Sequence, residues 1–124
     1  MNDKTILLIE DDLPLIRMYQ VILEKAGFKV KNALDGEEGI KKINDDKPDL
    51  VLLDVILPKK DGFEVLKEVK SNQNTAKIPI FCLTVLHQEE DMKRCKNLGA
   101  DDFLVKTDVT PDDLISKINS RLSS

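Results

Sequence analysis

The 124-residue sequence predicts an α/β fold, a doubly wound (βα)5 three-layer sandwich, and three observations carry that reading. Four short apolar runs each stop on a residue able to do phosphate or metal chemistry. Ile6-Leu7-Leu8-Ile9 ends at Glu10-Asp11-Asp12, Leu50-Val51-Leu52-Leu53 at Asp54, Ile80-Phe81-Cys82-Leu83 at Thr84, and Phe103-Leu104-Val105 at Lys106. Between the runs the hydrophobic period switches to helical spacing, the mark of alternating strands and helices. The run ending at Leu53 is apolar at every position, as in a strand covered on both faces. Right-handed crossovers between parallel strands then place helices on both sides of the sheet.

Each element has its own local signal. A first strand over residues 5–10 feeds a helix over 13–26, with Asp12 as N-cap, Pro14 in the first turn and Gly27 closing it. Residues 28–33 read as the second strand. Asp35-Gly36-Glu37-Glu38 opens the next helix, to about 46, with Asp at the cap and Glu three residues on, close to a capping box. Pro48 introduces the third strand, 49–53. A long loop follows at 54–62, and Phe63, Val65, Leu66 and Val69 mark the apolar face of a third helix. Pro79 precedes the fourth strand, residues 88–98 form the fourth helix before Gly99, and 102–105 the fifth strand. Thr110-Pro111-Asp112-Asp113 starts the last helix, which ends near 122. Five βα units account for the chain as one domain over residues 1–124.

Bulk composition excludes several classes of function. With 41% hydrophobic and 34% charged residues the chain is globular rather than disordered. No apolar stretch approaches the roughly 18 residues of a membrane span, and the N-terminus lacks the pattern of a secretory leader, so the expected location is cytoplasmic, without membrane contact. A net charge of −4 argues against direct nucleic-acid binding, which needs clustered Lys and Arg. Cys82 and Cys95 lack metal-ligand spacing and are expected to be reduced and buried.

If the runs are parallel strands, their polar ends meet at one edge, where open α/β sheets place their ligand crevice. Taken singly, each of these residues has an ordinary reading: Asp54 as a cap, Thr84 as a β-former, Lys106 as a solvated edge, Glu10 and Asp12 as caps of the first helix. Together they have another. Glu10, Asp11 and Asp54 at one edge repel by roughly 4 kcal/mol per close pair at an effective dielectric near 20. A hard dication offsets that repulsion, and Mg2+ suits a site of few carboxylates completed by water and phosphate oxygens, with Mn2+ as a substitute. Thr84 and Lys106 supply a hydroxyl and an ammonium for phosphoryl oxygens. No paired acid, base histidine or nucleophilic serine accompanies Asp54, and His87, the only histidine, reads as a surface residue. That leaves Asp54 as the nucleophile itself, forming an acyl phosphate.

These residues resemble the receiver (CheY-like) domain of bacterial two-component response regulators. The resemblance is carried by residues 6–12, by Ala33-Leu34-Asp35-Gly36-Glu37-Glu38, by Pro48 through Asp54, by Pro58-Lys59-Lys60-Asp61-Gly62-Phe63-Glu64, by Leu83-Thr84 and by Gly99 through Lys106. It implies a flavodoxin-like sheet of order 2-1-3-4-5 and phosphorylation of Asp54 by a sensor histidine kinase or a phosphotransfer protein. It implies Mg2+ held by Glu10, Asp11, Asp54 and the backbone carbonyl of Ile56. Thr84 and Lys106 fall on the residues that meet the phosphoryl oxygens, and Phe103 on the switch aromatic. The fourth helix, fifth strand and last helix would report the state to a protein effector, with the chain a monomer or a weak phosphorylation-linked dimer. Such a protein is not an enzyme toward other substrates; it promotes only its own phosphoryl transfer and dephosphorylation.

Three departures from the family pattern matter. Thr107 stands where the family has a cis-bonded proline; a cis bond to a non-proline residue costs about 3–4 kcal/mol, so a trans Lys106–Thr107 peptide and a rearranged loop are expected. Val85 occupies a position that usually holds a small residue and narrows access to the site. Ile56 and Leu86 place apolar groups where an attacking water would be oriented, which predicts slow hydrolysis of the acyl phosphate. The alternative function is a receiver-like module that binds proteins without phosphorylation. A dehalogenase-type phosphatase is disfavoured because position 56 is Ile rather than a second Asp. A flavodoxin-like cofactor carrier is disfavoured because Glu10-Asp11-Asp12 would repel a phosphate.

Overall fold

A computed structural model describes residues 3–123. Residues 1, 2 and 124 of the expected domain lie outside the described residues. The chain runs β1 (Thr5–Ile9), α1 (Leu13–Lys25), β2 (Lys29–Ala33), α2 (Gly36–Asp46), β3 (Leu50–Leu53), α3 (Gly62–Ser71), β4 (Ile80–Thr84), α4 (Glu89–Asn97), β5 (Asp102–Val105) and α5 (Pro111–Leu122). The sheet is parallel throughout, in the order β2-β1-β3-β4-β5, a flavodoxin-like three-layer sandwich.

Alternation of side chains along each strand divides the core in two. Leu7, Ile9, Val51, Leu53, Ile80 and Cys82 face α2, α3 and α4 and pack with Ile43, Leu66 and Cys95. Ile6, Leu8, Leu50, Leu52, Phe81 and Leu83 face α1 and α5 and pack with Tyr19, Leu23 and Ile118. β3, with every residue buried, is the central strand. β2 alternates exposed and half-buried positions before Ala33, as suits an edge.

Side-chain caps set most helix starts by satisfying backbone N–H groups that have no partner within the helix. Asp12 accepts from the Leu15 amide at 3.2 Å, Asp35 from Glu38 at 2.8 Å, Asp61 from Glu64 at 2.9 Å, and Thr110 from Asp113 at 3.1 Å. α4 is the exception, with Gln88 at its N-cap position making no side-chain cap bond. Gly27 and Gly99, at φ 95° and 104°, turn the chain out of α1 and α4 in the left-handed region that glycine tolerates.

Several boundaries differ from expectation by a residue, each for a local reason. α1 stops at Lys25, because Ala26 already serves as its C-cap. Asp49 stays out of β3, its carboxylate taking the Thr5 amide at 2.7 Å and so tying the start of β1 to that of β3. Glu38 does not complete a capping box; its carboxylate accepts from Leu34 rather than from the cap residue's amide. Cys82 and Cys95 are free and buried, as expected. No cis peptide occurs among the described residues, so Lys106–Thr107 is trans. No helix among them is long and apolar enough to cross a membrane.

Candidate metal and phosphoacceptor site

The parallel sheet brings the ends of β1, β3, β4 and β5 to one edge. β1 delivers Glu10 and Asp11, β3 delivers Asp54, β4 ends on Thr84 and β5 is followed by Lys106. Backbone bonds lock these ends in register: the Asp54 amide donates to the Ile9 carbonyl at 3.1 Å, and the Lys106 amide to the Thr84 carbonyl at 2.8 Å. Ligand oxygens of Glu10, Asp11 and Asp54 all lie within 4.8 Å of one another.

Lys106 is the hub of this edge. Its ammonium bonds Glu10 Oε1 and Asp54 Oδ2, the latter at 2.7 Å, and its side chain is only 8% exposed. It is thus buried against the acids rather than solvated. The second Glu10 oxygen accepts the amides of Asp11 and Asp12, each at 3.1 Å, and the second Asp54 oxygen accepts the Ile56 amide at 3.1 Å. Asp11 is exposed to solvent at the mouth. Asp12 caps α1.

Electrostatics explain what such an edge calls for. Burial pushes the Glu10 carboxyl above its ordinary value, against the pull of the Lys106 bond. For Lys106 burial acts to lower the ammonium's pKa, and the bonds to Asp54 and Glu10 more than reverse it. Three carboxylates against one ammonium leave an excess of two negative charges when all are ionised, at a cluster made wholly of oxygen donors. That is the donor set and charge that a hard dication such as Mg2+ complements.

Thr84 is fully buried, and its hydroxyl accepts from the Leu86 amide at 3.4 Å. Phe103 is half-buried, packed at the margin of the α2–α3–α4 side of the core. Ile56 and Val85 are 54% and 50% exposed, holding apolar side chains outward from the loops after β3 and β4. His87 is exposed.

The sequence between residues 6 and 119 matches the family described as the response regulator receiver domain. This chain belongs to the response regulator receiver family. The receiver is 42% identical over 104 residues to the alkaline phosphatase synthesis transcriptional regulatory protein PhoP of Bacillus subtilis, a match covering 84% of this chain and 42% of that protein. It is 35% identical over 117 residues to the phosphate regulon transcriptional regulatory protein PhoB of Escherichia coli, covering 94% of this chain and 51% of that one. The receiver therefore spans about half the length of the curated relatives it matches. Among solved structures, a CheY-like receiver domain protein from Methanospirillum hungatei superposes with a TM-score of 0.90 at 30% identity, covering 98% of this chain and 95% of that one. The BeF3-activated N-terminal receiver domain of Klebsiella pneumoniae RstA gives 0.90 at 29% identity, covering 98% and 100%.

The Glu10, Asp11 and Asp54 cluster is of the kind that binds Mg2+ at a phosphoacceptor in this family, and the receiver is a phosphorylation-dependent switch whose chemistry is confined to its own phosphorylation and dephosphorylation.

Sequence reasoning missed two features. Asp101 accepts the Ile80 amide at 2.8 Å and pairs with Lys70 at 3.3 Å, joining the start of β4 to α3 and the β5 approach; its place in the run Gly99-Ala100-Asp101-Asp102 was the available signal. The glycines that seat the loop after β3 went unexplained as well, because close approach between distant segments leaves no local pattern.

Proposed function

We propose that Asp54 accepts a phosphoryl group from the phosphohistidine of a sensor histidine kinase or a phosphotransfer protein. A carboxylate oxygen of Asp54 forms the new O–P bond as the N–P bond breaks, and the imidazole keeps the electron pair and takes up a proton. Bound Mg2+ supplies positive charge against the phosphoryl oxygens; Glu10, Asp11, Asp54 and the Ile56 carbonyl would hold it. Lys106 meets one phosphoryl oxygen in exchange for part of its present bonding, and the Thr84 hydroxyl turns toward another, giving up the Leu86 amide. Only this difference in affinity shifts the population of the two states. Phe103 follows Thr84 inward, and α4, β5 and α5 pass the change to a protein effector. Residues 1–124 act in this reading as one receiver domain in the cytoplasm, a monomer or weak phosphorylation-linked dimer that does not touch nucleic acid itself.

One observation supports the assignment of Asp54 above the rest: its carboxylate ends the fully buried central strand within hydrogen-bond reach of Lys106, beside two further carboxylates. Incubation with acetyl phosphate and MgCl2, followed by intact mass measurement, tests it. The wild type gains one phosphoryl group and Asp54→Ala gains none. Absence of any mass gain in the wild type would overturn the assignment.

A further inference from the structure

The loop from Val55 to Asp61 carries the Ile56 carbonyl yet has no regular structure of its own. Lys59 within it sits at φ 66°, a left-handed conformation unfavourable for a residue with a Cβ, so the surroundings hold the loop in a shape its own residues disfavour. The amide of Gly62 closes one end on the Val55 carbonyl at 2.9 Å, and a Cβ at Gly62 would stand 2.6 Å from the Asp54 carbonyl oxygen.

The first turn of α2 holds the other end. A Cβ on Gly36 would overlap the Lys60 carbonyl oxygen and lie 2.7 Å from both the carbonyl carbon and the Cβ of Lys60. The Gly36 amide points at the Pro58 carbonyl, 3.5 Å away, and Lys59 reaches Asp35 at 3.7 Å. Gly36 is not among the residues with positive φ, so its own backbone does not require glycine, and alanine is the better helix former. What it requires is room. Gly39, one turn on, lies against a side chain of β1 rather than a backbone: a Cβ there would meet Ile9 Cδ1 at 2.6 Å, one residue before Glu10.

We propose that α2 acts as a spacer across the metal site. Gly39 seats it on β1, which carries Glu10 and Asp11, and Gly36 seats the loop that carries the Ile56 carbonyl. The helix thereby sets the separation of the two halves of the ligand set. Gly36 is then a positioning residue, touching neither the metal nor the phosphoryl group. This inference rests on the metal reading of the site.

Dication binding by the 124-residue protein tests it, using Mn2+ with electron paramagnetic resonance of the free ion and Mg2+ by calorimetry. Gly36→Ala is expected to bind either ion about tenfold more weakly, the scale of lost support behind a metal ligand, while still melting cooperatively without metal. Undiminished affinity in Gly36→Ala would overturn the spacer role. A wild type that binds no dication would instead overturn the metal reading, and the spacer with it. If Gly36→Ala does not fold, Lys59→Met decides. Removing a positive charge by itself tightens dication binding, so weaker binding by about twofold supports the loop anchor, and equal or tighter binding refutes it.

Discussion

Lys106 Nζ stands 2.7 Å from Asp54 Oδ2, and the same ammonium bonds Glu10, so one cation serves two buried carboxylates. Breaking a buried pair by removing one partner leaves uncompensated charge and costs about 3–5 kcal/mol. Lys106→Met is therefore expected to lose about 3 kcal/mol in metal-free buffer and to recover much of it on adding MgCl2, because a dication can replace the missing charge. Urea melts with and without Mg2+ check this; a variant stabilised by Mg2+ no more than the wild type would show that the ammonium and the ion do not serve the same acids.

Asp11 and Asp12 are adjacent in the chain and separate in function. Asp12→Ala removes an N-cap and should cost about 1 kcal/mol with little change in dication affinity. Asp11→Asn removes a ligand oxygen and one repelling charge, so it should abolish most dication binding while leaving the metal-free protein at least as stable. Thermal melts paired with metal titrations of the two variants distinguish them, and a reversed pattern would reassign the metal ligand.

The alkaline limb of stability should be steep. Burial raises the Tyr19 phenol above its ordinary 10.0, with the charges of Lys106, Glu10 and Asp54 acting as smaller influences. Lys106, despite burial, is raised above 10.5 by its bonds to Asp54 and Glu10. Groups raised in the fold hold their protons more tightly there than in the unfolded chain, so their contribution is intact below those ordinary values and is lost as pH climbs through the folded ones. Stability should fall from about pH 10 upward, and Tyr19→Phe should flatten that decline. Urea midpoints across that range measure both slopes.

The Ile56 amide meets Asp54 Oδ1 while its apolar side chain is 54% exposed, and Val85 and Leu86 directly follow Thr84. None can orient an attacking water, so the acyl phosphate should be long-lived. Ile56→Asn, which offers a hydrogen-bonding amide at the mouth, should hasten its loss several-fold. Phosphate release after removal of the donor gives the rate, and a half-life of seconds in the wild type counts against the idea.

Much of this was legible because the signals are local. Continuous apolar runs marked β3 and β4, and Asp12, Asp35 and Thr110 each announced a helix start three residues before the amide they cap. The strand-end acids could be nominated as a group because a parallel sheet carries every strand's carboxyl end to the same edge. Errors of a residue arose where a distant partner intervened, as when Asp49 left β3 to bond Thr5, 44 positions earlier.

By itself the amino-acid order determined the fold class, the alternation of elements and which side chains stand at the ligand edge, since periodicity, caps and strand ends are properties of neighbouring residues. Only the tertiary structure decided that Lys106 is buried in an ion pair with two acids 52 and 96 positions away, and that Gly36 and Gly39 brace the loop and strand they touch. Those relations depend on how closely separate segments approach, and the space between two backbones is not written in either segment alone.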